Sequence, residues 1–296
     1  MNFRTRFAPS PTGPLHLGHA FSALTAFDLA REAGGTFLLR IEDIDRTRAR
    51  AQWEAQIYED LHWLGLDWPE PVRRQSDHTD AYMAALEDLW ARGLLYPCSC
   101  RRRDIVAAAS APQEGGEPAV GPDGLVYPGT CRPETPPRGQ MPRDEALRID
   151  MRRALDVVGK DINFFEVGAG PDGESGLIEV SPEALIEGVG DVVLSRRDFP
   201  GSYHLSVVVD DAQQEISDVV RGQDLFEATQ IHVLLQHLLG YLVPRYHHHR
   251  LVRDEAGRRL AKRDNDRAIA TFRAEGCTPA QIRDMLGLET APGGAA

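Results

Sequence analysis

Two histidines three residues apart follow a stretch of prolines and glycines near the start of the chain. The segment reads RFAPSPTGPLHLGHAFSALTAF from Arg6 to Phe27, with His16 and His19 at the start of a predicted helix. Backbone amides and the helix dipole at such a position bind phosphate groups. Both imidazoles share one helix face, and Gly18 leaves room for a nucleotide against the backbone. The pattern predicts a mononucleotide site, although two solvent-facing histidines would show the same spacing.

Three of the four cysteines lie close together in a segment rich in proline and glycine. The spacing of Cys98, Cys100 and Cys131 is typical of a zinc site rather than of a disulfide framework in so long a chain. Three thiolates leave one ligand position open, and no histidine lies near them in the sequence. An oxygen must fill that position, and Tyr127 is the nearest candidate. We predict one structural Zn²⁺ held by these four residues, with free cysteines in a loop as the alternative, and we interpret Cys277 as structural.

Composition and charge narrow the class of protein. The chain has 296 residues, of which 42% are hydrophobic and 26% charged, as in soluble globular proteins. No apolar run approaches the roughly 18 residues that span a bilayer, and the first residues form no apolar signal core, so we expect a cytoplasmic protein without a membrane partner. The formal net charge of −12 argues against binding nucleic acid over the whole surface. Arginine clusters at 101–103, 152–153 and 245–263 could bind it locally.

The elements around the histidines follow the order of an α/β fold. Residues 2–7 read as a strand, the helix after His16 ends at Gly34 and Gly35, and a buried strand follows at Thr36–Ile41. Strand, loop, helix and strand in this order begin a βαβ unit, which predicts a parallel sheet.

Later segments extend this pattern. Helices are predicted over 51–64 and 77–92, the second with Ser76 as its N-cap, and an apolar helix over 228–239. The segments DVVLSR and SYHLSVVVDD read as strands because they are rich in β-branched residues. The segment VGAGPDGESG from Val167 is predicted to be a surface loop.

The histidine segment also resembles a known signature. APSPTGPLHLGHA resembles the HIGH signature of class I aminoacyl-tRNA synthetases, and RFAPSPTG resembles the glutamyl branch of that family. The resemblance implies a Rossmann-like parallel-sheet catalytic domain with a small zinc-containing insertion. It also implies that His16 and His19 are catalytic and bind ATP, with Mg²⁺, together with Pro9 and Gly18. They would stabilise charge on the α-phosphate while an amino-acid carboxylate attacks it.

A lysine near the end of the chain extends the resemblance. GRRLAKRD, residues 257–264, resembles a divergent KMSKS signature in which Lys262 matches the second lysine, while the first lysine and both serines are replaced. The chain has only two lysines, Lys160 and Lys262, among 33 basic residues. A compact ammonium suits a phosphate that moves during reaction. We therefore expect Lys262 to bind ATP and to be catalytic.

The resemblance to glutamyl enzymes implies groups that match the charges of glutamate. The substrate's side-chain carboxylate needs cations, for which Arg6 and Arg221 are candidates, the latter in VVRGQDL. Its ammonium needs an anion, and Glu42 lies at the carboxyl end of a predicted strand. Tyr203 matches the pocket tyrosine of the YxxxxVVDD pattern, although core packing would also explain it. The implied glutamate-binding residues are Arg6, Ala8, Ser10, Glu42, Tyr203 and Arg221.

The organisation of the chain follows from these segments. We expect the first half of the catalytic domain at 1–96, the zinc-binding insertion at 97–142, an acceptor-type insertion with the second half of the catalytic domain at 143–240, and the lysine loop with a helical tail at 241–296. About thirty residues follow Asp264, so we expect no anticodon-binding domain.

Because so few residues follow Asp264, the resemblance is strongest to the truncated paralogues of glutamyl-tRNA synthetase. The histidine at position 19, where glutamyl enzymes usually have glycine, also favours these paralogues. That family transfers glutamate to queuosine at the wobble position of tRNA(Asp). We therefore expect a monomeric ligase whose partners are ATP, L-glutamate and the anticodon stem-loop of queuosine-containing tRNA(Asp). The alternatives are a conventional glutamyl-tRNA synthetase, a small-molecule nucleotidyltransferase with an HxGH motif, and a non-catalytic tRNA-binding paralogue.

Overall fold

The computed structural model describes residues 2–109, 119–159, 161–252 and 267–289, and within these ranges strands and helices follow the order expected of an α/β protein. The strands are β1 (Arg4–Phe7), β2 (Thr36–Ile41), β3 (Arg73–Arg74), β4 (Leu95–Cys98), β5 (Val120–Gly121), β6 (Gly124–Leu125), β7 (Ala146–Ile149), β8 (Asn163–Glu166), β9 (Gly176–Glu179), β10 (Val193–Ser195), β11 (Asp218–Gly222) and β12 (Arg245–His249). The helices are α1 (Leu17–Glu32), α2 (Ala51–Trp63), α3 (Thr79–Ala91), α4 (Arg102–Ala109), α5 (Met151–Val158), α6 (Pro182–Ala184), α7 (Tyr203–Gln213), α8 (Thr229–Leu239), α9 (Ile269–Ala274) and α10 (Pro279–Leu286). Lys262 and the segment 253–266 around it lie outside the described residues.

A parallel sheet confirms the predicted Rossmann-like architecture. Strand β1 pairs in parallel with β2, beginning with Arg4 opposite Thr36, and β2 pairs in parallel with β3. Strands β11, β12 and β8 form a second parallel group, to which β9 adds antiparallel. The two groups meet where the backbone N–H of Ser217 donates to the Arg4 carbonyl at 3.0 Å. Parallel strands place their carboxyl ends at one edge of a sheet, so loops from both halves of the chain come together there.

A smaller antiparallel sheet carries the cysteine segment. Strand β7 lies between β4 and β10, and the chain between β4 and β7 holds α4 and the hairpin β5–β6. The buried side chains of this segment form a small cluster of Tyr96, Cys98 and Tyr127. So small a hydrophobic cluster stabilises the insertion little by itself, and the zinc site predicted there would add a further link. The three boundaries between the four predicted segments stay predictions, and the one between residues 96 and 97 falls inside β4.

The described part of the C-terminal tail packs against the first half of the chain. Ile269 and Phe272 of α9 and Ile282 and Leu286 of α10 are buried in one cluster with the apolar face of α1. The tail is helical as predicted, and the described residues after β12 contain no anticodon-binding domain. No helix within the described ranges has the length and apolar character needed to cross a bilayer.

The segment SYHLSVVVDD is a helix, α7, and the prediction of a strand there is wrong. Ser202 caps the helix by accepting a hydrogen bond from the Leu205 N–H at 3.4 Å. Every residue from His204 to Asp211 is buried, so no polar face interrupts the run. Periodicity cannot separate helix from strand in such a sequence, and burial on all sides overrides the β-propensity of three consecutive valines.

The predicted N-cap role of Ser76 is also wrong. Ser76 lies in a 3-10 turn, Gln75–His78, that precedes α3. Its backbone N–H and its hydroxyl both donate to the Asp43 carboxylate, at 2.8 and 2.6 Å. The side chain therefore ties the loop after β2 to the start of α3 instead of capping the helix.

One buried acid in α2 predicts a pH-dependent change in stability. Asp60 is fully buried, neither carboxylate oxygen has a hydrogen-bond partner in the part of the chain that the structure describes, and Arg273 lies 3.6 Å away. Burial raises the pKa of Asp60 to about 6. Because this folded-state pKa exceeds the ordinary value, the acid lowers stability as pH rises, and the loss is complete above pH 6. Asp60→Asn should raise the free energy of unfolding by about 2 kcal/mol at pH 8 and by little at pH 4, measured by urea denaturation.

The neighbouring acid is the matched control for this prediction. Glu59 also contacts Arg273, but its side chain is 69% exposed, so Glu59→Gln should change stability by less than about 0.5 kcal/mol at either pH. A gain from Asp60→Asn of equal size at both pH values would contradict the explanation.

Candidate active site

One cavity opens at the carboxyl ends of the parallel strands. It has a volume of about 410 Å³, and the residues that follow β1, β2, β11 and β12 contribute to its walls, as expected for ligand sites in α/β sheets. The structure brings the predicted ATP-binding and glutamate-binding residues that it describes to this one cavity, while their binding roles stay predictions. They are Arg6, Ala8, Pro9, Ser10, His16, Gly18, His19, Glu42, Tyr203 and Arg221.

Both predicted histidines are built into the start of α1. Nδ1 of His16 accepts a hydrogen bond from the Gly18 N–H at 3.1 Å, and Nδ1 of His19 accepts one from the His16 N–H at 3.1 Å. A neutral ring that accepts at Nδ1 carries its proton on Nε2, so the pair can donate to a phosphate at a helix N-terminus. A Cβ at Gly18 would lie 3.0 Å from Cε1 of His16, which explains the glycine between them.

Of the described residues on the two sides of segment 253–266, one lines this cavity and one pairs with His16. Val252, just before the segment, lines the cavity wall. Ala268, just after it, forms an isolated bridge with His16. Both described ends of the chain around this segment are therefore near the predicted histidines, while the role of Lys262 itself stays a prediction.

Two buried arginines next to the cavity share one carboxylate. Arg6 binds Asp211 through two hydrogen bonds, from Nε to Oδ1 at 2.8 Å and from Nη2 to Oδ2 at 3.2 Å. Arg40, which is fully buried, donates to the same Oδ1 at 2.6 Å and to Glu42 at 3.1 Å. Burial acts to raise the pKa of Asp211, but the two guanidinium groups outweigh it and hold that pKa below its ordinary value. The Arg6 side chain is thus already paired within the protein.

A second carboxylate completes the charge balance of this network. Asp210 accepts from Arg73 Nε at 2.8 Å and lies 3.7 Å from Arg40 Nε. The hydroxyl of Tyr82 donates to Asp210 as well, at 2.9 Å. Among the described residues, the network consists of three guanidinium groups and three carboxylates, so their charges balance. They are those of Arg6, Arg40, Arg73, Glu42, Asp210 and Asp211.

Glu42 and Tyr203 form the wall next to that network. Burial raises the pKa of the Glu42 carboxyl above its ordinary value, although Arg40 acts to lower it. A buried carboxylate of this kind is a suitable partner for a ligand ammonium. Tyr203 begins α7, and its ring packs edge-on against His232 with the centroids 5.7 Å apart.

Arg221 lines the cavity from β11 with different neighbours. Its side chain is buried and hydrogen-bonds to His232, His248 and Thr229 rather than to an acid. Arg221 lies opposite His248 in the parallel register of β11 and β12. The sheet therefore fixes both ends of this contact.

The predicted metal ligands also lie together, away from the cavity. The sulfur atoms of Cys98, Cys100 and Cys131 are all within 4.8 Å of one another, and the Tyr127 hydroxyl lies 3.5 Å from the first two. Tetrahedral Zn²⁺ with Zn–S bonds of about 2.3 Å places sulfurs about 3.8 Å apart. Cys100 and Cys131 are 3.5 Å apart, so the donor set fits a zinc ion.

Arg148 contacts two of these donors. Its Nε donates to the Cys98 sulfur at 3.3 Å, and its guanidinium lies 3.9 Å from the centroid of the Tyr127 ring. Burial acts to raise the pKa of the Cys131 thiol, but hydrogen bonds from Tyr127 and from the Ser99 backbone lower it to about 6. The surroundings of Cys131 therefore favour its thiolate form, which binds metal. At Cys100 the hydrogen bond with Tyr127 acts to lower the pKa of the thiol, but burial and the neighbouring cysteines outweigh it and raise that pKa.

Comparison with known proteins places the chain in a family. It matches the model for tRNA synthetases class I (E and Q), catalytic domain, over residues 2–134 and 139–292. It is 60% identical over 285 residues to a Glutamyl-Q tRNA(Asp) synthetase from Rhodobacter capsulatus, a match that covers 96% of this chain and 99% of that protein. The chain belongs to the glutamyl-Q tRNA(Asp) synthetase family of class I synthetases. A relative of the same name from Symbiobacterium thermophilum is 41% identical, with 94% and 83% of the two chains covered.

Solved structures extend the comparison. A glutamate tRNA ligase from Elizabethkingia meningosepticum, crystallised with its amino acid, matches this glutamyl-Q synthetase family member with a TM-score of 0.75 and 26% identity. The match covers 99% of this chain and 62% of that structure. A glutamate-tRNA synthetase from Elizabethkingia anophelis gives the same TM-score and identity over 96% and 61% of the two chains. The chain thus spans about three-fifths of the length of these enzymes.

Several residues of the site in this glutamyl-Q synthetase family member were not predicted from the sequence. Arg40 interrupts the apolar strand TFLLRI, and a charge inside a buried strand requires buried partners, so a signal was present. His232 and Glu166 carried no such signal, because they lie in separate elements that only the fold brings to Arg221. His249 ends a parallel strand and lines the cavity, a position that its strand assignment alone would have suggested.

Proposed function

We propose that this chain activates L-glutamate with ATP and transfers the glutamyl group to queuosine at the wobble position of tRNA(Asp). The observation that carries the proposal is the convergence, in one cavity, of a histidine-capped helix start, a carboxylate and an arginine that pairs with no acid among the described residues. The choice of acceptor rests on the relatives, since one named for this activity shares 60% of aligned residues over nearly its full length. A cytoplasmic, monomeric enzyme is part of the same proposal.

Glutamate is held by charge complementarity in this proposal. Arg221 binds the side-chain carboxylate, Glu42 binds the ammonium, and Tyr203 closes the side of the pocket. Arg6 contributes a second cation whose charge is shared with Asp211, while Ala8 and Ser10 shape the wall between them. This arrangement leaves the α-carboxylate directed at the start of α1.

The first reaction joins glutamate to AMP. An oxygen of the α-carboxylate attacks the α-phosphorus of ATP, the bond between the α-phosphorus and the bridging oxygen breaks, and pyrophosphate leaves. ATP enters with Mg²⁺, which offsets charge on its phosphates. His16 and His19 donate hydrogen bonds to phosphate oxygens, and Pro9 and Gly18 let the nucleotide approach the backbone. Lys262 stabilises the negative charge that develops on the pyrophosphate as it leaves.

The second reaction transfers the glutamyl group. A hydroxyl of the queuosine cyclopentene-diol attacks the carbonyl carbon of the adenylate, an ester forms, AMP leaves and the hydroxyl loses its proton. The anticodon loop must then reach the catalytic domain itself. The exposed arginines 101–103 beside the cysteine cluster offer positive charge for its phosphates.

Charging of defined tRNAs tests the proposal. Labelled glutamate should enter queuosine-containing tRNA(Asp), should still enter that tRNA after removal of its 3′-terminal adenosine, and should not enter tRNA(Asp) that lacks queuosine. Label that requires the 3′-terminal adenosine would instead indicate a conventional glutamyl-tRNA synthetase. Absence of glutamate-dependent ATP–pyrophosphate exchange would indicate a non-catalytic paralogue or a nucleotidyltransferase for another substrate.

We also propose that Cys98, Cys100, Tyr127 and Cys131 bind one zinc ion. Purified protein should contain about one equivalent of zinc, and Cys131→Ser should lower this content at least about tenfold, because three ligands bind far more weakly than four. Metal content is measured by mass spectrometry after dialysis. Cys277→Ser is the control and should keep the metal. Equal zinc content in the two variants would contradict the assignment.

A further inference from the structure

Arg221 differs from the other buried arginines near the cavity in its hydrogen-bond partners. Nε donates to His248 Nε2 at 3.1 Å, and Nη1 donates to His232 Nδ1 at 3.0 Å. Nη2 donates to the Thr229 hydroxyl at 2.7 Å and to the Leu225 carbonyl at 3.2 Å. A guanidinium has five N–H donors, so the described residues satisfy four of them. The fifth, on Nη1, is available to a ligand.

The charge of Arg221 is not balanced by any carboxylate that the structure describes, unlike the charge of Arg6. Arg6 forms a two-point ion pair with Asp211, and that network has as many carboxylates as guanidinium groups. Among the described residues, no carboxylate forms an ion pair with Arg221. A ligand carboxylate at the cavity would therefore meet an arginine whose charge has not been neutralised.

The partner at Nη1 is held in its uncharged form by hydrogen-bond geometry. A guanidinium can only donate, so His232 Nδ1 must accept, and its proton lies on Nε2. Nε2 faces His204 Nδ1 at 3.1 Å, which must also accept, and His204 Nε2 lies 3.4 Å from an Asp123 carboxylate oxygen. Burial, with Arg221 next to it, lowers the pKa of His232 well below its ordinary value. In this series of contacts, two imidazole rings therefore separate the Asp123 carboxylate from the Arg221 guanidinium.

The partner at Nε is arranged in the same way. Glu166 accepts from His248 Nδ1 at 2.6 Å, so Nε2 of that ring is the acceptor that Arg221 requires. The carboxylate of Glu166 is also bonded to the backbone N–H groups of Gly168 and His248. An imidazole thus separates this acid from Arg221, which weakens its effect compared with a direct ion pair.

We propose that His232 and Thr229 determine the preference of this pocket for a carboxylate side chain over an amide. By giving Arg221 uncharged acceptors they hold the guanidinium in place and leave its positive charge for the substrate. The inference rests on the proposed function and extends it, because it assigns the discrimination between glutamate and glutamine to residues that do not touch either amino acid. They are positioning residues for Arg221.

A pair of variants that differ only in charge tests this. His232→Asn keeps an uncharged oxygen acceptor near the position of Nδ1, whereas His232→Asp puts a carboxylate there and neutralises Arg221. In ATP–pyrophosphate exchange, the KM for glutamate of the Asp variant should exceed that of the Asn variant at least about tenfold, with kcat values within about threefold. The inhibition constant of glutamine should differ between the two by less than about threefold, because an amide carries no charge.

A second pair protects the test against misfolding at His232. Thr229 is the first residue of α8, where an aspartate is favoured by the helix dipole. The KM for glutamate should again be higher for the aspartate variant, Thr229→Asp, than for Thr229→Asn. If circular dichroism shows that the His232 variants do not fold, the Thr229 pair provides the test.

Two results overturn the inference in different ways. If the wild type is active and the Asn and Asp variants at each position have equal KM values for glutamate, the inference is wrong and the proposed function is unaffected. Absence of glutamate-dependent exchange in the wild type overturns the proposed function together with it. A parallel rise in glutamate KM and glutamine inhibition constant would indicate a general packing defect and also contradict the inference.

Discussion

Replacing Arg221 with alanine is expected to raise the KM for glutamate about a hundredfold or more, while kcat falls by less than about tenfold. The reason is that the side chain provides a buried positive charge at the cavity wall that no acid in the described structure neutralises. Losing a buried partner of a carboxylate costs several kcal/mol because the ligand charge is left without compensation. Glutamate dependence of ATP–pyrophosphate exchange measures both constants.

Two further variants make this result specific. Arg221→Lys keeps the charge but cannot satisfy His232, His248 and Thr229 at once, so its KM should lie between those of the wild type and the alanine variant. Arg245→Ala removes an arginine at the opposite end of the neighbouring strand, where its side chain is 55% exposed and pairs with Asp218. It should leave both constants within about twofold. A fall in kcat at constant KM for Arg221→Ala would contradict the binding role.

The start of the fold was predictable because its sequence signals agree with one another. The prolines forbid regular structure before α1, the glycines after it end the helix, and the apolar run Thr36–Ile41 is the parallel strand expected. Parallel pairing then brings Glu42 to the same edge as the residues after β1. Local pattern and global arrangement coincide here, so the cavity's position followed from the sequence.

The second half of the chain was less predictable because its decisive contacts are tertiary. The strand predicted for SYHLSVVVDD is a helix, since burial on every side removed the polar face that would have shown its period. Tyr203 nevertheless reaches the cavity from the first turn of that helix. The histidines around Arg221 come from α8 and β12, and nothing in their local sequence indicates that they meet.

The cysteine cluster shows an intermediate case. Three thiols and the absence of a nearby histidine pointed to Tyr127 as the fourth donor, and the structure brings its hydroxyl among the sulfurs. The contact of Arg148 with Cys98 and with the Tyr127 ring was not predictable, because Arg148 reaches them across the pairing of β4 with β7. Ligands that are close in sequence can be found from spacing, whereas the residues that support them depend on the fold.

The second large effect is expected at Lys262. Lys262→Ala should lower kcat for adenylate formation about a hundredfold to a thousandfold and change the KM for glutamate by less than about threefold. A charge that acts on phosphates as pyrophosphate leaves contributes to the transition state more than to amino-acid binding. The flanking residues support this, since Val252 lines the cavity and Ala268 contacts His16.

The composition of the chain supplies an unusually clean control for this prediction, because the sequence contains only one other lysine, Lys160. Lys160→Ala removes the same group and should leave kcat within about twofold. Lys262→Arg should recover only part of the rate, because a planar guanidinium spreads the charge that an ammonium concentrates on one atom. If an arginine could do this work, the arginines at positions 259 and 263 would already replace it, and Lys262→Ala would then resemble Lys160→Ala. Equal kcat values for those two alanine variants would therefore remove Lys262 from the catalytic site.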